Sequence, residues 1–140
     1  MDKQHIFRKF KIRKLRPTAV REMVMEYLLE RDTAVSLKEL EEVFYWADRS
    51  TLYRTLKAFE EKKAIHSIDD GSGVIKYAVC ADNCTCEPHH LHAHFHCIKC
   101  KLTYCLNEIP VPEVQLPPGY KVTYINYVVK GICPKCGGGE

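Results

Sequence analysis

The chain has 140 residues, 46% of them hydrophobic, and a formal net charge of +3. That allows one ordinary domain or two small ones and excludes a disordered chain. The charge is uneven: residues 1–21 carry eight Lys/Arg against the single acid Asp2, whereas residues 64–140 carry six bases against seven acids. A basic front suits a polyanionic partner, although a solvated basic tail explains the charge equally well.

In chain order, residues 1–16 place Ile6, Phe7, Phe10, Ile12 and Leu15 among bases, which fits a short amphipathic helix or a flexible arm. Pro17-Thr18 is a helix start, and Ala19, Val20, Met23, Val24, Tyr27 and Leu28 recur at helical spacing, predicting a helix over 18–31. Ser36 with Glu39 forms a capping box ahead of Leu37, Leu40, Val43 and Phe44. Asp48 can cap a third helix that buries Leu52, Leu56 and Phe59 and projects Arg49, Tyr53, Arg54 and Lys57. Ile65–Ile68, the turn Asp69–Gly73 and Val74–Cys80 read as a hairpin. Three helices followed by a hairpin outline a winged helix-turn-helix.

Residues 81–90 lack a period and read as a linker. His92-Ala93-His94-Phe95-His96 alternates, so three imidazoles should share one strand face. Lys101–Leu106 reads as a second strand. Prolines 110, 112, 117 and 118 keep any helix around Pro112–Leu116 short, and Tyr120–Ile132 reads as the longest strand, with a bulge. The fold class is therefore α+β: a winged helix over 1–80, a hinge over 81–90 and a small α/β domain over 91–140.

All eight cysteines and six of seven histidines follow residue 63. No stretch is long enough to span a bilayer, and the charged N-terminus has no apolar leader segment. These features predict a cytoplasmic protein without a membrane role, in which clustered Cys and His bind metal rather than form disulfides. Cys97-Ile-Lys-Cys100 and Cys133-Pro-Lys-Cys136 are two knuckles that complete a tetrahedral four-thiolate shell for a structural Zn2+. Buried reduced thiols and an iron–sulfur cluster are the lesser readings. His66, Cys80, Cys84, Cys86, His89, His90, His92, His94, His96, Cys105 and Glu108 exceed the needs of one ion and imply at least one further site. Arg49, Ser50, Thr51, Arg54 and Lys57 are suited to guanine and phosphate contacts.

STLYRTLKAFEEKKAI, LRPTAVREMV, HAHFHCIKC and GICPKC, in that order, resemble the ferric uptake regulator family over about residues 15–136. The resemblance implies homodimeric metal-responsive repressors of palindromic double-stranded DNA, with a C-terminal dimerisation domain and no enzymatic activity or small organic substrate. It puts the four-cysteine zinc on Cys97, Cys100, Cys133 and Cys136, base contacts on Tyr53 and Arg54, and a minor-groove contact on Arg16 near Thr18 and Arg21. Its strand ligands fall on His92 and His94. The chain departs from the iron and peroxide branches, having Thr33-Ala34-Val35 before the second helix and Leu91 and Ala93 on the other strand face. His66 and Cys80, at the two ends of the wing, resemble the zinc uptake regulator branch. The favoured sensory set is therefore His66, Cys80, His92 and His94, with Cys84, Cys86, His90, His96, Cys105 and Glu108 in reserve. This set suits Zn2+, with Fe2+ the alternative regulatory ion. The expected function is zinc-sensing repression of metal-uptake genes. The alternatives are iron sensing, peroxide or thiol sensing through Cys84, Cys86 or Cys105, and, from another class, a zinc-ribbon metal carrier. A metal-dependent hydrolase has no HExxH motif to support it.

Overall fold

The computed structural model describes residues 3–79, 92–123 and 125–137, the side chain of Asn107 excepted. Helices α1 (Lys3–Ile12), α2 (Ala19–Glu30), α3 (Leu37–Val43) and α4 (Arg49–Glu61) come first, with a short strand β1 (Val35–Ser36) before α3. The basic front is thus a packed helix rather than an arm. Ile6 and Phe10 turn inward, and the Phe10 ring lies 5.8 Å from that of Phe59. The helix stops where Lys14 adopts a left-handed φ of 56° and the Leu15 N–H returns to the Phe10 carbonyl.

Thr18 caps α2, its Oγ1 accepting the Arg21 N–H at 3.2 Å. Val24, Met25 and Leu28 form the buried stripe. Met23, expected there, instead lines a shallow groove against α1 with Lys3 and Ile6, because α1 occupies that side of the helix. Ser36 caps α3 by accepting the Glu39 N–H at 3.1 Å. The reciprocal half of the capping box is replaced: the Glu39 carboxylate turns to α2, where it accepts the Tyr27 hydroxyl and pairs with Arg31. At α4 the Asp48 carboxylate takes the hydroxyls of Ser50 and Thr51 at 2.5 and 2.7 Å, not a backbone N–H. Leu52, Leu56 and Phe59 are fully buried with Val24, Met25 and Leu40, which makes α4 the central helix of the core.

β2 (Ile65–Asp69) and β3 (Ile75–Val79) form an antiparallel hairpin, and β1 adds to β3 to give the order β1-β3-β2. A second sheet holds β4 (His92–Cys97) between β5 (Thr103–Pro110), antiparallel, and β6 (Val128–Gly131), parallel. The prolines leave no helix around Pro112–Leu116. Two expectations change here. The strand expected at Lys101–Leu106 starts at Thr103 and runs to Pro110, since Lys101 takes a left-handed φ of 68° to close the first cysteine knuckle. Among the described residues, the long strand expected over Tyr120–Ile132 is reduced to Val128–Gly131, because the pairing of β4 with β6 is confined to His94–Cys97. Alternating side chains give a segment strand character, but a ladder needs a partner.

The two sheets abut. The Ala34 N–H donates to the Thr103 carbonyl at 2.7 Å and Thr33 bridges Tyr104, so the start of β1 reaches the start of β5. Ala34, Ile68 and Ala78 form a small buried cluster against which Cys105 packs. This seam positions the candidate site described below. Phe59→Ala, which empties the middle of the helical core, is expected to cost about 3–5 kcal/mol in urea denaturation. A loss under about 1 kcal/mol would contradict the packing of α4 on α1.

Candidate metal centre

Cys97, Cys100, Cys133 and Cys136 converge, their sulfurs all within 4.8 Å of one another. Cys97 closes β4 and Cys133 follows β6, so parallel pairing of these strands brings the knuckles together. The Cys100 and Cys133 sulfurs are 3.9 Å apart. A tetrahedral ion with Zn–S near ~2.3 Å requires roughly 3.8 Å between sulfurs. The Cys97 sulfur accepts the N–H groups of Cys100 and Cys133, each at 3.4 Å, and such backbone hydrogen bonds bring its thiol down to about 5. Cys136 moves the other way, to about 12, because its neighbouring cysteines disfavour another negative charge. A bound dication relieves that conflict by ligating all four thiolates at one positive centre.

A second cluster lies on the seam between the sheets. His66 of β2 and His92, His94 and Cys105 of the second sheet offer ligand atoms within 4.8 Å of one another. His66 Nε2 and His94 Nε2 are 3.3 Å apart, and the three imidazole centroids are separated by 5.4–5.7 Å. An ion with Zn–N of ~2.0–2.1 Å has tetrahedral edges of roughly 3.3 Å. Among the described residues, the buried His92 Nε2 has no hydrogen-bond partner. Such an orphan calls for an explanation, and a ligand role supplies one. Burial and the neighbouring His92 lower His66 to about 4, partly offset by Glu60, while burial and the other two imidazoles lower His94 to about 4. Burial also lowers His92 and pushes the Cys105 thiol up to about 11. The cluster is therefore neutral: three imidazoles and a thiol. A cleft of about 170 Å³, lined also by Glu60 and Tyr127, gives access to it.

Of the favoured set His66, Cys80, His92 and His94, three residues come together. Cys80 lies outside the described residues, as do Cys84, Cys86, His89 and His90. Cys105, a reserve, is within reach of the imidazoles because it pairs with His94 across the β4–β5 ladder. Glu108 is exposed further along β5 and outside the cluster. His96 faces the same way as His94 but serves otherwise: its Nδ1 lies 3.0 Å from Thr103 Oγ1 and 3.3 Å from the Asp70 carboxylate. Asp70 was not singled out by the sequence, where Asp69–Gly73 reads only as a turn. It is 1% exposed and accepts the Thr103 hydroxyl at 2.6 Å, Lys76 Nζ at 2.9 Å and the Ser72 N–H at 2.9 Å.

On the opposite side of α4, Ser50, Tyr53 and Arg54 are exposed, and Lys57 lies over the Tyr53 ring at 5.4 Å. Arg49 is paired with Glu41 at 2.6 Å, and the hydroxyls of Ser50 and Thr51 are held by Asp48. Arg16 is exposed just ahead of α2, its carbonyl accepting Arg21 Nη1 at 2.9 Å. Thr18 is occupied as the α2 cap. Sequence reasoning passed over Tyr45 and Trp46, 84% and 55% exposed in the turn before α4.

The depressed imidazoles fix a pH dependence. An unfolded histidine titrates near ~6.5, whereas His66 and His94 are lowered to about 4. Between these values the unfolded chain binds more protons, so stability falls as pH drops through that window. Without an ion at the mixed cluster, the urea midpoint is expected to be lower at pH 5 than at pH 7. His66→Gln, with the same four-cysteine centre, should narrow that gap; an unchanged gap contradicts the burial of these rings.

The ferric uptake regulator family profile matches residues 13–116. No curated protein matches the sequence. Among solved structures, a zinc uptake regulator complexed with zinc and DNA aligns with a TM-score of 0.68 and 19% identity, over 96% of this chain and 92% of that one. Holo XcZur gives 0.67 and 18%, over 96% of each chain. The Helicobacter pylori ferric uptake regulator gives 0.58 and 17%, over 96% of this chain and 90% of that one. These likenesses establish a shared fold, and the profile, spanning more than half of the sequence, establishes the family: the chain belongs to the ferric uptake regulator family.

Proposed function

We propose that the protein is a zinc-responsive DNA-binding repressor in which residues 1–80 read DNA, 81–90 form a hinge and 91–140 dimerise. The observation that carries this reading is the 3.3 Å approach of His66 and His94 nitrogens from two different sheets. Ligands on the wing strand and on the second sheet make ion binding and the angle between reader and dimer core one equilibrium. Cys105 supports zinc: a nitrogen and sulfur set suits it better than the oxygen-rich sets that suit manganese. A zinc uptake regulator with zinc and DNA among the structural neighbours agrees with this choice. The high-lying Cys105 thiol is a poor nucleophile, which disfavours it as the peroxide sensor.

Each residue then has a role. Cys97, Cys100, Cys133 and Cys136 hold the structural zinc that ties β4 to β6. His66, His92, His94 and Cys105 hold the regulatory ion, whose charge offsets the Cys105 thiolate. Tyr53 and Arg54 meet base edges, while Arg16, Arg21, Ser50 and Lys57 meet phosphates or the minor groove. Arg49 and Thr51 contribute by exchanging their present partners for DNA. Tyr120, Val122, Val129 and Ile132, all exposed in the single chain, supply an apolar face for a second copy. Two copies place two reader helices in successive major grooves of a palindrome. No described helix is long and apolar enough to cross a membrane. Cysteine ligands that must stay reduced agree with a cytoplasmic protein.

The test is a zinc titration of protein already holding its four-cysteine ion, with binding to DNA from its own upstream region as readout. A second zinc per chain is expected to raise DNA affinity roughly 5–150-fold. About one proton should be released per ion as Cys105 ionises, read by calorimetry in two buffers. Cys105→Ala should remove the proton release and weaken the response. DNA binding indifferent to the second zinc would overturn the proposal.

A further inference from the structure

The seam between the sheets holds a second polar cluster beside the imidazoles, made of groups that need no ion. Lys76 Nζ, on β3, donates to three oxygens: the Asp70 carboxylate at 2.9 Å, the Lys101 carbonyl at 2.7 Å and Thr103 Oγ1 at 3.1 Å. The first belongs to the hairpin, the second to the knuckle between β4 and β5, and the third to β5. The Thr103 hydroxyl spends its one proton on Asp70 at 2.6 Å, so Lys76 and the His96 Nδ1–H at 3.0 Å both donate to its oxygen. The Asp70 side chain is wholly buried and that of Lys76 is 12% exposed. Burial works against ionising Asp70, but hydrogen bonds from Ser72, Thr103 and Lys76 outweigh it and hold the carboxyl well below the usual range. An ion pair closed in this way is costly to open from one side, because the charge left behind stays buried.

Its position gives it a role. On the second sheet, Thr103 pairs with His96 and Cys105 pairs with His94, so this cluster and the imidazole site occupy neighbouring positions on one ladder. On the hairpin, Lys76 pairs with Ile68, two residues from His66, which pairs with Ala78. The Asp69 carbonyl also accepts Asn126 Nδ2 at 2.6 Å, which adds a contact from the segment leading into β6. Gly71 suits the turn because its φ of +85° is one that other residues rarely adopt.

We propose that Asp70 and Lys76 are positioning residues for the mixed site. Their buried ion pair, closed by Thr103 and His96, docks the β2–β3 hairpin on β4–β5 before an ion binds and thereby sets how tightly the ion is held. The docking stands on geometry alone; its effect on ion affinity rests on the metal-sensing reading above. The turn of this hairpin serves as a strut to the second sheet, a role that fits its two aspartates better than contact with a phosphate backbone.

The experiment compares the full chain, four-cysteine zinc in place, with Asp70→Asn, Lys76→Met and the milder Thr103→Val, which keeps volume and removes only the hydroxyl. Hydrogen exchange of hairpin amides is followed without added ion. Cobalt affinity of the mixed site is then measured by visible ligand-field absorption against a competing chelator. Asp70→Asn and Lys76→Met should speed hairpin exchange and weaken cobalt roughly 10–100-fold, as loss of groups supporting metal ligands does elsewhere. Thr103→Val should act in the same direction and by less, and exchange in α2 and α4 and retention of the four-cysteine zinc should be unchanged. The Asp70→Asn, Lys76→Met double variant should be no worse than the poorer single, since either change opens the same pair. Hairpin exchange equal to wild type in all three single variants overturns the docking role, and faster exchange with unaltered cobalt affinity overturns the positioning role. Should the wild type take no cobalt beyond its cysteine centre, the metal-sensing reading falls, and the exchange result still judges the docking.

Discussion

Two desolvated imidazole nitrogens 3.3 Å apart repel one another unless a proton or a cation lies between them. The rings of His66 and His94 reach this distance from separate sheets, largely buried in the seam that brings them there. Burial disfavours protonation of both rings, so the cluster is neutral and rich in donor atoms. That is the state a divalent ion needs from its ligands, since only the Cys105 proton has to leave. The rest of the chain can be understood as what keeps these groups on one seam.

Three kinds of attachment share the task. The helical core fixes the hairpin relative to α4 through Leu56, Phe59 and Ile65, so the position of His66 is tied to that of α4. The four-cysteine centre fixes the second sheet, since its knuckles close β4 and follow β6. Between them lies the Asp70–Lys76 ion pair with Thr103 and His96, alongside the backbone link from Ala34 to Thr103. A displacement at any of these points changes the distance between ligands from the two sheets. Under the proposed function, this is how an ion at the seam would gain leverage over the helix that carries Tyr53 and Arg54.

What the sequence discloses follows from the range of the interactions involved. Helix starts at Thr18 and Ser36, and the buried stripe of α4, are local and were legible from capping and periodicity. So was the meeting of Cys97, Cys100, Cys133 and Cys136, because two-residue spacing leaves few other uses for such thiols. Non-local partners were not legible. Alternation across Tyr120–Ile132 shows strand character but not that β4 supplies a ladder only from His94 onward. Cys105 reaches the imidazoles through its register opposite His94, which the cysteine spacing does not reveal. Asp70 looks like one more turn aspartate; its burial comes from Thr103, 33 residues further along the chain. Met23 lines the groove against α1, and Met25 joins the buried stripe, because the packing of α1 decides which side of α2 is covered.

The ligand shell of the seam is the most direct point at which the account can fail. With zinc kept in the four-cysteine centre and cobalt loaded into the mixed site, cobalt K-edge X-ray absorption counts the atoms bound there. The structure predicts three imidazole nitrogens near ~2.0–2.1 Å and one sulfur near ~2.3 Å. A shell without sulfur, or with two, would contradict the set of His66, His92, His94 and Cys105.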